Sequence, residues 1–268
     1  MGLLDGRVAV VTGASRGIGA AIAARFASAG AAVAVTARTV ADGDHRLPGG
    51  ITDTVAGIQA AGGTARAFQA DLSAAEDRVR LVTEVTETMG DIDILVNNAA
   101  VTYFTPVREF TARRFALMFE VQVTAPTHLA QLVAPGMCDR GRGWILNVSS
   151  GAARHPTLPP AERALRGGTV YGMCKAAIER FSTGLAAELY QYDVAVNALA
   201  PTKVVPTPGT LFHHLTTEDD PNAEPPAVMA EAALQLCHAP AAERSGRVAY
   251  SQQLLAEFGV EIPTATYG

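Results

Sequence analysis

Three cysteines in 268 residues, Cys138, Cys174 and Cys237, are too few and too scattered for a disulfide framework or a metal cluster. They read as small core residues in a reducing compartment, which places the chain in the cytoplasm. Positive charge is also short. Lys and Arg number 21 against 26 Asp and Glu, a net charge of −5, so nucleic acid and anionic membrane are excluded as electrostatic partners. No long apolar run is present. The nearest, "AAIAARFASAGAAVAVTA" (20–37), is mostly alanine and is broken by Arg25 and Gly30, whereas a bilayer-spanning helix needs about 20 strongly apolar residues. It reads as a helix, a glycine stop and a buried strand. "MGLLDGRVAVV" lacks the basic region and apolar segment of a secretory signal. The histidines, His45, His155, His213 and His214 among them, are read as loop residues with no ligand spacing, so no metal is expected.

What the chain does have is alternation. Hydrophobic residues make up 49% and charged residues 18%, an ordinary globular balance. Short β-branched runs at 7–12, 32–37, 64–69, 93–98, 144–149, 194–199 and 247–251 are separated by stretches with helical spacing, such as Val79, Val82, Val85 and Met89. Strands apolar on both faces with helices between them predict one α/β domain over residues 1–268. Its architecture is a doubly wound Rossmann-type fold with a seven-stranded parallel sheet and about six helices on its two faces. Two segments interrupt the pattern, 151–168 and 201–226, both rich in proline. Each follows a strand at its C-terminal end, where such folds bind ligands, so both are expected to flank a substrate site.

The first strand runs into "TGASRGIGAAIAARFASAG" (12–30). Gly13, Gly17 and Gly19 fall where the chain must turn sharply into a helix. A backbone without side chains lets amides approach a pyrophosphate at the helix N-terminus. The second strand ends "VTART", with Arg38 and no carboxylate, and Arg16 lies in the glycine turn. Two guanidinium groups and no carboxylate suit a further phosphate on such a ligand. Farther along, "TVYGMCKAA" (169–177) places Tyr171 and Lys175 one helical turn apart, on the edge of a stripe formed by Cys174, Ile178, Phe181, Leu185 and Leu189. A free tyrosine titrates near pH 10, and a neighbouring ammonium is expected to lower that value.

"TGASRGIG", followed in order by "NNAA" (97–100), "NVSS" (147–150) and Tyr171-x-x-x-Lys175, resembles the classical short-chain dehydrogenase/reductase family over nearly the whole chain. "RLPGGITDTVAGIQAAGG" (46–63) is similar to its hydroxysteroid dehydrogenase-like subgroup. The resemblance implies an oxidoreductase that interconverts a carbonyl and a secondary alcohol by hydride transfer. Tyr171 would be the acid/base, Lys175 would tune it and hold the nicotinamide ribose, and Ser150 would orient the substrate oxygen. Gln122 would occupy the place of a relay residue. The cofactor it implies is a nicotinamide dinucleotide, for which Arg16 and Arg38 favour NADP, with its 2′-phosphate, over NAD. The implied contacts come from Gly13, Ser15, Arg16, Gly17, Ile18, Gly19, Arg38, Asp71, Leu72, Asn98, Ala99, Pro201 and Val204, besides Tyr171 and Lys175. The expected partner is a small carbonyl or alcohol compound, largely apolar, walled by Thr102, Tyr103 and Phe104. A homodimer or homotetramer built on helices at 111–138 and 171–190 is expected.

The chain departs from the family pattern at four places. Gln122 stands for the usual Asn, adding a methylene. Ser150 and Tyr171 are 21 residues apart, an insertion that must loop away for the two to meet. Ala100 replaces a glycine. Pro201-Thr202 replaces Pro-Gly and moves Thr207 one place later. These departures keep open a competing class, an NADP(H)-binding sensor or structural subunit without turnover.

Overall fold

Seven strands, β1 (Val8–Thr12), β2 (Ala32–Ala37), β3 (Thr64–Gln69), β4 (Ile92–Asn97), β5 (Gly143–Val148), β6 (Val194–Ala200) and β7 (Val248–Tyr250), form one sheet. The computed structural model describes residues 2–160 and 162–263. Met1, Ala161 and residues 264–268, which the sequence reading counts within the domain, lie outside them. All pairings are parallel and the order is β3-β2-β1-β4-β5-β6-β7. The predicted strands match to within a residue or two. β7 is shorter than expected because Ser251 already opens a helix.

Helices cover both faces, as the two-sided apolar strands require. On one face lie α1 (Gly17–Ser28) and α2 (Ile51–Ala60). On the other lie α3 (Ala75–Met89), α4 (Ala112–Phe119), α5 (Ala125–Asp139) and α6 (Thr169–Leu189). The remaining helices are α7 (Pro208–Phe212), α8 (Pro226–Leu236), α9 (Ala241–Arg244) and α10 (Ser251–Glu257). Alanine explains the tight packing of α1 on α8. Ala23 and Ala27 meet a helix carrying Ala230, Ala232 and Ala233, all buried in one core cluster with Phe26 and Ile22. The opposite core is built from Leu81, Val85, Leu129, Val133 and Leu189. No described helix is long and apolar enough to cross a membrane.

The helix count exceeds the expected six for local reasons. The segment read as one helix over 111–138 is α4 and α5 joined by a π-helical turn, Glu120–Thr124. Pro126 supplies the cause: it has no N–H to give the Gln122 carbonyl four residues back, and the Ala125 N–H reaches Glu120 instead. Within 201–226, read as a loop, α7 is capped by Thr207, whose hydroxyl accepts from the Thr210 amide at 3.2 Å. His128 corrects the placement of histidines in loops. It lies on α5, and its Nδ1 accepts from Arg78 Nε at 3.1 Å.

β1 has β2 on one side and β4 on the other, so chain connections leave it in opposite directions. A crevice opens at the C-terminal ends of the strands at such a switch point. Here it is a continuous cleft of about 1880 Å³ reaching from Arg38 and Asp71 to Ser150 and Tyr171.

Candidate active site

The glycine turn forms the near end of the cleft. Gly13 has φ +63°, and a Cβ there would stand 2.7 Å from the Ala99 Cα. Gly17 has φ +57°, and its missing Cβ would meet Thr207 Cγ2 at 2.9 Å. The turn is thus wedged between the ends of β4 and the segment after β6. Gly19 follows inside α1, with Ser15 and Ile18 on the cleft wall. The first turn of α1 has neither a side-chain cap nor an acidic residue, so its N–H groups and dipole remain available to an anion. Asn98 fixes the turn: its amide donates to the carbonyls of Thr12 and Gly13 at 2.9 and 3.1 Å. Thr12 Oγ1 accepts from the Asn98 and Ala99 amides.

Arg16 and Arg38 both reach this end. Arg16 donates to the Gly49 carbonyl at 2.6 Å and lies 3.2 Å from His45 Nδ1, while its Nε is buried with no partner among the described residues. Burial lowers its pKa, and Asp42 partly opposes this. Arg38 is half exposed, 4.0 Å from Asp71 Oδ2. Asp71 and Leu72 follow β3 on the same wall, with Asp71 held by Ser73. An open helix N-terminus, an orphaned guanidinium nitrogen and a second cation beside Asp71 fit a dinucleotide. Sequence reasoning missed Arg46, whose guanidinium sits 4.2 Å over the Phe212 ring and ties the segment after β2 to α7. Its signal was present, a third arginine near the end of β2, but nothing in the sequence pairs it with Phe212.

At the far end, Ser150 lies two residues past the end of β5, and α6 carries Tyr171 and Lys175. Three buried or half-buried bonds register α6 on β5. Lys175 Nζ donates to the Val148 carbonyl at 2.9 Å, Ser149 Oγ to Glu179 at 2.6 Å, and Asn147 Nδ2 to Ser182 Oγ at 2.9 Å. Residues 175, 179 and 182 share one helical face, and Tyr171 is the next turn of it. The register therefore delivers the phenol to Ser150 across the 21-residue separation. The intervening segment forms part of the cleft wall, with Arg154, His155 and Arg166 among the lining residues. It forms short 3-10 turns at Gly151–Ala153 and Glu162–Arg166, and the Gly167 carbonyl accepts from Thr105 N at 3.2 Å.

The electrostatics differ from the expected tuning. Burial raises the Tyr171 pKa, and the nearby Ser150 hydroxyl only partly offsets it. Lys175 is 4% exposed, and burial lowers its pKa to about 8. Its Nζ lies 5.6 Å from the Tyr171 ring centroid. The phenol is therefore raised where the ammonium was expected to lower it. Desolvation acts on both groups, keeping the phenol protonated and weakening the cation beside it.

Gln122 lies in the π-helical turn and is 2% exposed. Its Nε2 donates to the Val101 carbonyl at 2.8 Å, while Oε1 is buried without a partner among the described residues. The extra methylene thus carries the amide to the 101–104 segment. That segment forms the apolar wall. Phe104 meets Tyr171 edge-on at 5.8 Å between centroids and His213 at 5.3 Å, and Tyr103 meets Phe110 at 6.5 Å. Thr102 completes the wall.

Pro201 and Val204 line the cleft beyond β6. Thr202, where a glycine was expected, is anchored. Its amide donates to Glu224 Oε1 at 3.0 Å, and its hydroxyl accepts from Gln252 N at 3.0 Å. Glu224 is almost fully buried and also accepts from Ser251 Oγ at 2.6 Å and Gln252 Nε2 at 2.8 Å. Burial raises its pKa, and these donors pull it back down. Thr207 remains at the glycine turn, but its hydroxyl caps α7. Glu224 escaped the sequence reading because its partners lie 22 to 28 residues away.

Comparison with known proteins agrees with this geometry. The family model for short chain dehydrogenase matches residues 7–212. The chain is 32% identical over 252 residues to the 7alpha-hydroxysteroid dehydrogenase of Escherichia coli K12, covering 91% of this chain and 92% of that one. It is 35% identical to the L-xylulose reductase of Mesocricetus auratus, over 77% of this chain and 75% of the relative. A metagenomic short-chain oxidoreductase solved in complex with NADP superposes with a TM-score of 0.74 at 31% identity, over 92% of this chain and 98% of that one. The chain belongs to the short-chain dehydrogenase/reductase family. Within it, the likeness to a hydroxysteroid dehydrogenase agrees with the subgroup resemblance of residues 46–63.

Proposed function

We propose that the protein is an NADP(H)-dependent oxidoreductase that interconverts a carbonyl and a secondary alcohol, with Tyr171 as the acid/base. The observation that carries this reading is the meeting of three groups. Tyr171 and Ser150 line one cleft that begins at the glycine turn, and Lys175 is buried one helical turn along from Tyr171. The nicotinamide, when bound, supplies or accepts the hydride. In reduction, Ser150 holds the substrate oxygen and Tyr171 gives it a proton as the carbonyl carbon gains hydride. Oxidation reverses both transfers. Lys175 stabilises the phenolate left on Tyr171 and binds the nicotinamide ribose. Gln122 holds the 101–104 wall through the Val101 carbonyl.

Gly13, Ser15, Arg16, Gly17, Ile18 and Gly19 would bind the phosphates, Arg16 and Arg38 the 2′-phosphate, and Asp71 with Leu72 the adenine side. Asn98, Ala99, Pro201 and Val204 would line the nicotinamide end. The NADP in a similar solved structure supports this choice. We place the enzyme in the cytoplasm, consistent with three unpaired thiols. We assign it a homodimer or homotetramer, supported by the exposed Phe115, stacked on Phe119 of α4. The test is turnover of a broad ketone and alcohol panel by wild type and Tyr171→Phe. Turnover by wild type alone supports the reading. NADPH binding by both with turnover by neither supports a sensor or structural subunit instead.

A further inference from the structure

The substrate end of the cleft is cationic in a chain that is acidic overall. Seven arginines and lysines line the whole cleft against two carboxylates, Asp71 and Asp220, although the full sequence carries more acid than base. Asp220 is occupied within its own loop, accepting from Thr216 Oγ1 and Asn222 N at 2.9 Å each. Arg16, Arg38 and Arg46 belong to the β1–β2 side, and Lys175 is buried against β5. Arg154, Arg166 and Lys203 remain, and of these Arg166 pairs with Glu162 at 3.5 Å.

Arg154 is the one held ready. The 3-10 turn after Ser150 fixes its backbone, with Arg154 N donating to the Gly151 carbonyl at 3.3 Å. Its guanidinium lies 3.9 Å over the Tyr250 ring, and Nε donates to the Tyr250 hydroxyl at 2.8 Å. Stacking and one hydrogen bond consume Nε and one face, leaving the two terminal nitrogens as a fork. Among the described residues Arg154 has no ion-pair partner, whereas Arg25, Arg78, Arg142 and Arg247 do. Tyr250 ends β7, three strands from the β1–β4 switch point on the side opposite β2. Arg154 lines the same cleft as Ser150, four residues farther along the chain, and belongs to the segment after β5 and not to the glycine turn. A guanidinium already oriented by an aromatic ring loses little freedom on pairing with a planar oxyanion.

We propose that the substrate is an oxo or hydroxy compound bearing an oxyanion, a carboxylate or a phosphate, and that Arg154 is the specificity-determining residue that holds it. The inference rests on the oxidoreductase reading above. It also reconciles two features of the cleft: Phe104 and Tyr103 receive an apolar body, and Arg154 anchors its charged end.

The test uses the full-length protein with NADPH and a series of ketones carrying a terminal carboxylate at increasing chain length, their methyl esters, and matched keto phosphates. The expected result is a kcat/KM for the acids or the phosphates about tenfold or more above the esters. Arg154→Gln should collapse that ratio toward one by a rise in KM of about 10- to 100-fold, and Arg154→Lys should restore part of it. Preference for carboxylate over phosphate, or the reverse, names the source of the charge. Esters used as well as the anions by wild type, or an unchanged ratio in Arg154→Gln, would overturn the proposal and leave the oxidoreductase reading standing. If NADPH binds and no ketone is reduced, the oxidoreductase reading fails. Calorimetric binding of the acids and phosphates then decides the anion site: weaker binding to Arg154→Gln supports it, and equal binding overturns it.

Discussion

Lys175 Nζ donates to the Val148 carbonyl at 2.9 Å, joining the middle of α6 to the strand that ends two residues before Ser150. The bond holds an ammonium in a nearly sealed site, 4% exposed, where burial lowers its pKa to about 8 from an ordinary 10.5. Under the proposed function, folding and proton transfer would share this one group.

That sharing gives a stability prediction. Between pH 8 and 10.5 the unfolded chain keeps the Lys175 proton and the folded chain sheds it, so this group makes stability rise with pH across that window. Below about pH 8 the cost of burying the charge is fully present. Replacement by methionine should flatten the rise by up to about 3 kcal/mol, at about 1.4 kcal/mol for each pH unit. Urea midpoints of ligand-free wild type and Lys175→Met, measured at pH 7, 8, 9 and 10, check this. Parallel curves would show that Lys175 is not titrating there.

Gln122 predicts a split between stability and chemistry. Gln122→Asn withdraws the amide from the Val101 carbonyl, now 2.8 Å away, and should cost roughly 1–3 kcal/mol by leaving a buried acceptor unpaired. It should also move the alkaline limb of the pH–rate profile if the side chain takes part in proton relay. Superimposable profiles would confine Gln122 to holding the wall.

Arg38 predicts cofactor choice. It is half exposed and loosely paired with Asp71, so replacing it should not disturb the core. Arg38→Asp should lower the ratio of kcat/KM for NADPH over NADH by about 10- to 100-fold, through the loss of a charge-assisted contact and the addition of a repelling carboxylate. An unaltered ratio would remove Arg38 from the 2′-phosphate site.

Glu224 predicts how the segment after β6 is held. Glu224→Ala leaves the Thr202 amide, Ser251 Oγ and Gln252 Nε2 without their acceptor. The expected loss is about 2–4 kcal/mol, with faster proteolysis within 201–226. Limited proteolysis and denaturant titration of the variant measure both. Unchanged cleavage would mean that α7 and its Thr207 cap hold the segment unaided.

The strands were legible because a parallel sheet demands residues apolar on both faces, and "RVAVVT" or "VAVNAL" can hardly be anything else. The glycine turn and the Tyr171–Lys175 spacing were legible because their geometry is local. What the sequence hid is set by distant partners. The π-helical turn follows from Pro126 withholding one N–H, yet its consequence for Gln122 depends on Val101, 21 residues away. Asn147, Ser149, Glu179 and Ser182 look like ordinary polar residues until α6 is laid on β5. The Tyr171 pKa was expected to fall because spacing reveals the ammonium, but spacing does not reveal burial, which raises it. Thr202 reads as a departure from the family, and only Glu224 and Gln252 show how it is accommodated.

The central claim is that Tyr171 exchanges the proton. Single-turnover mixing of NADPH-loaded protein with a substrate found in the ketone panel, followed at the nicotinamide absorbance, tests it directly in wild type and Tyr171→Phe. The account predicts unchanged NADPH affinity and a reduction step slowed by about 10²- to 10⁴-fold, the range for loss of a positioned acid/base. A Tyr171→Phe variant that binds NADPH normally and reduces the ketone at the wild-type rate would contradict it.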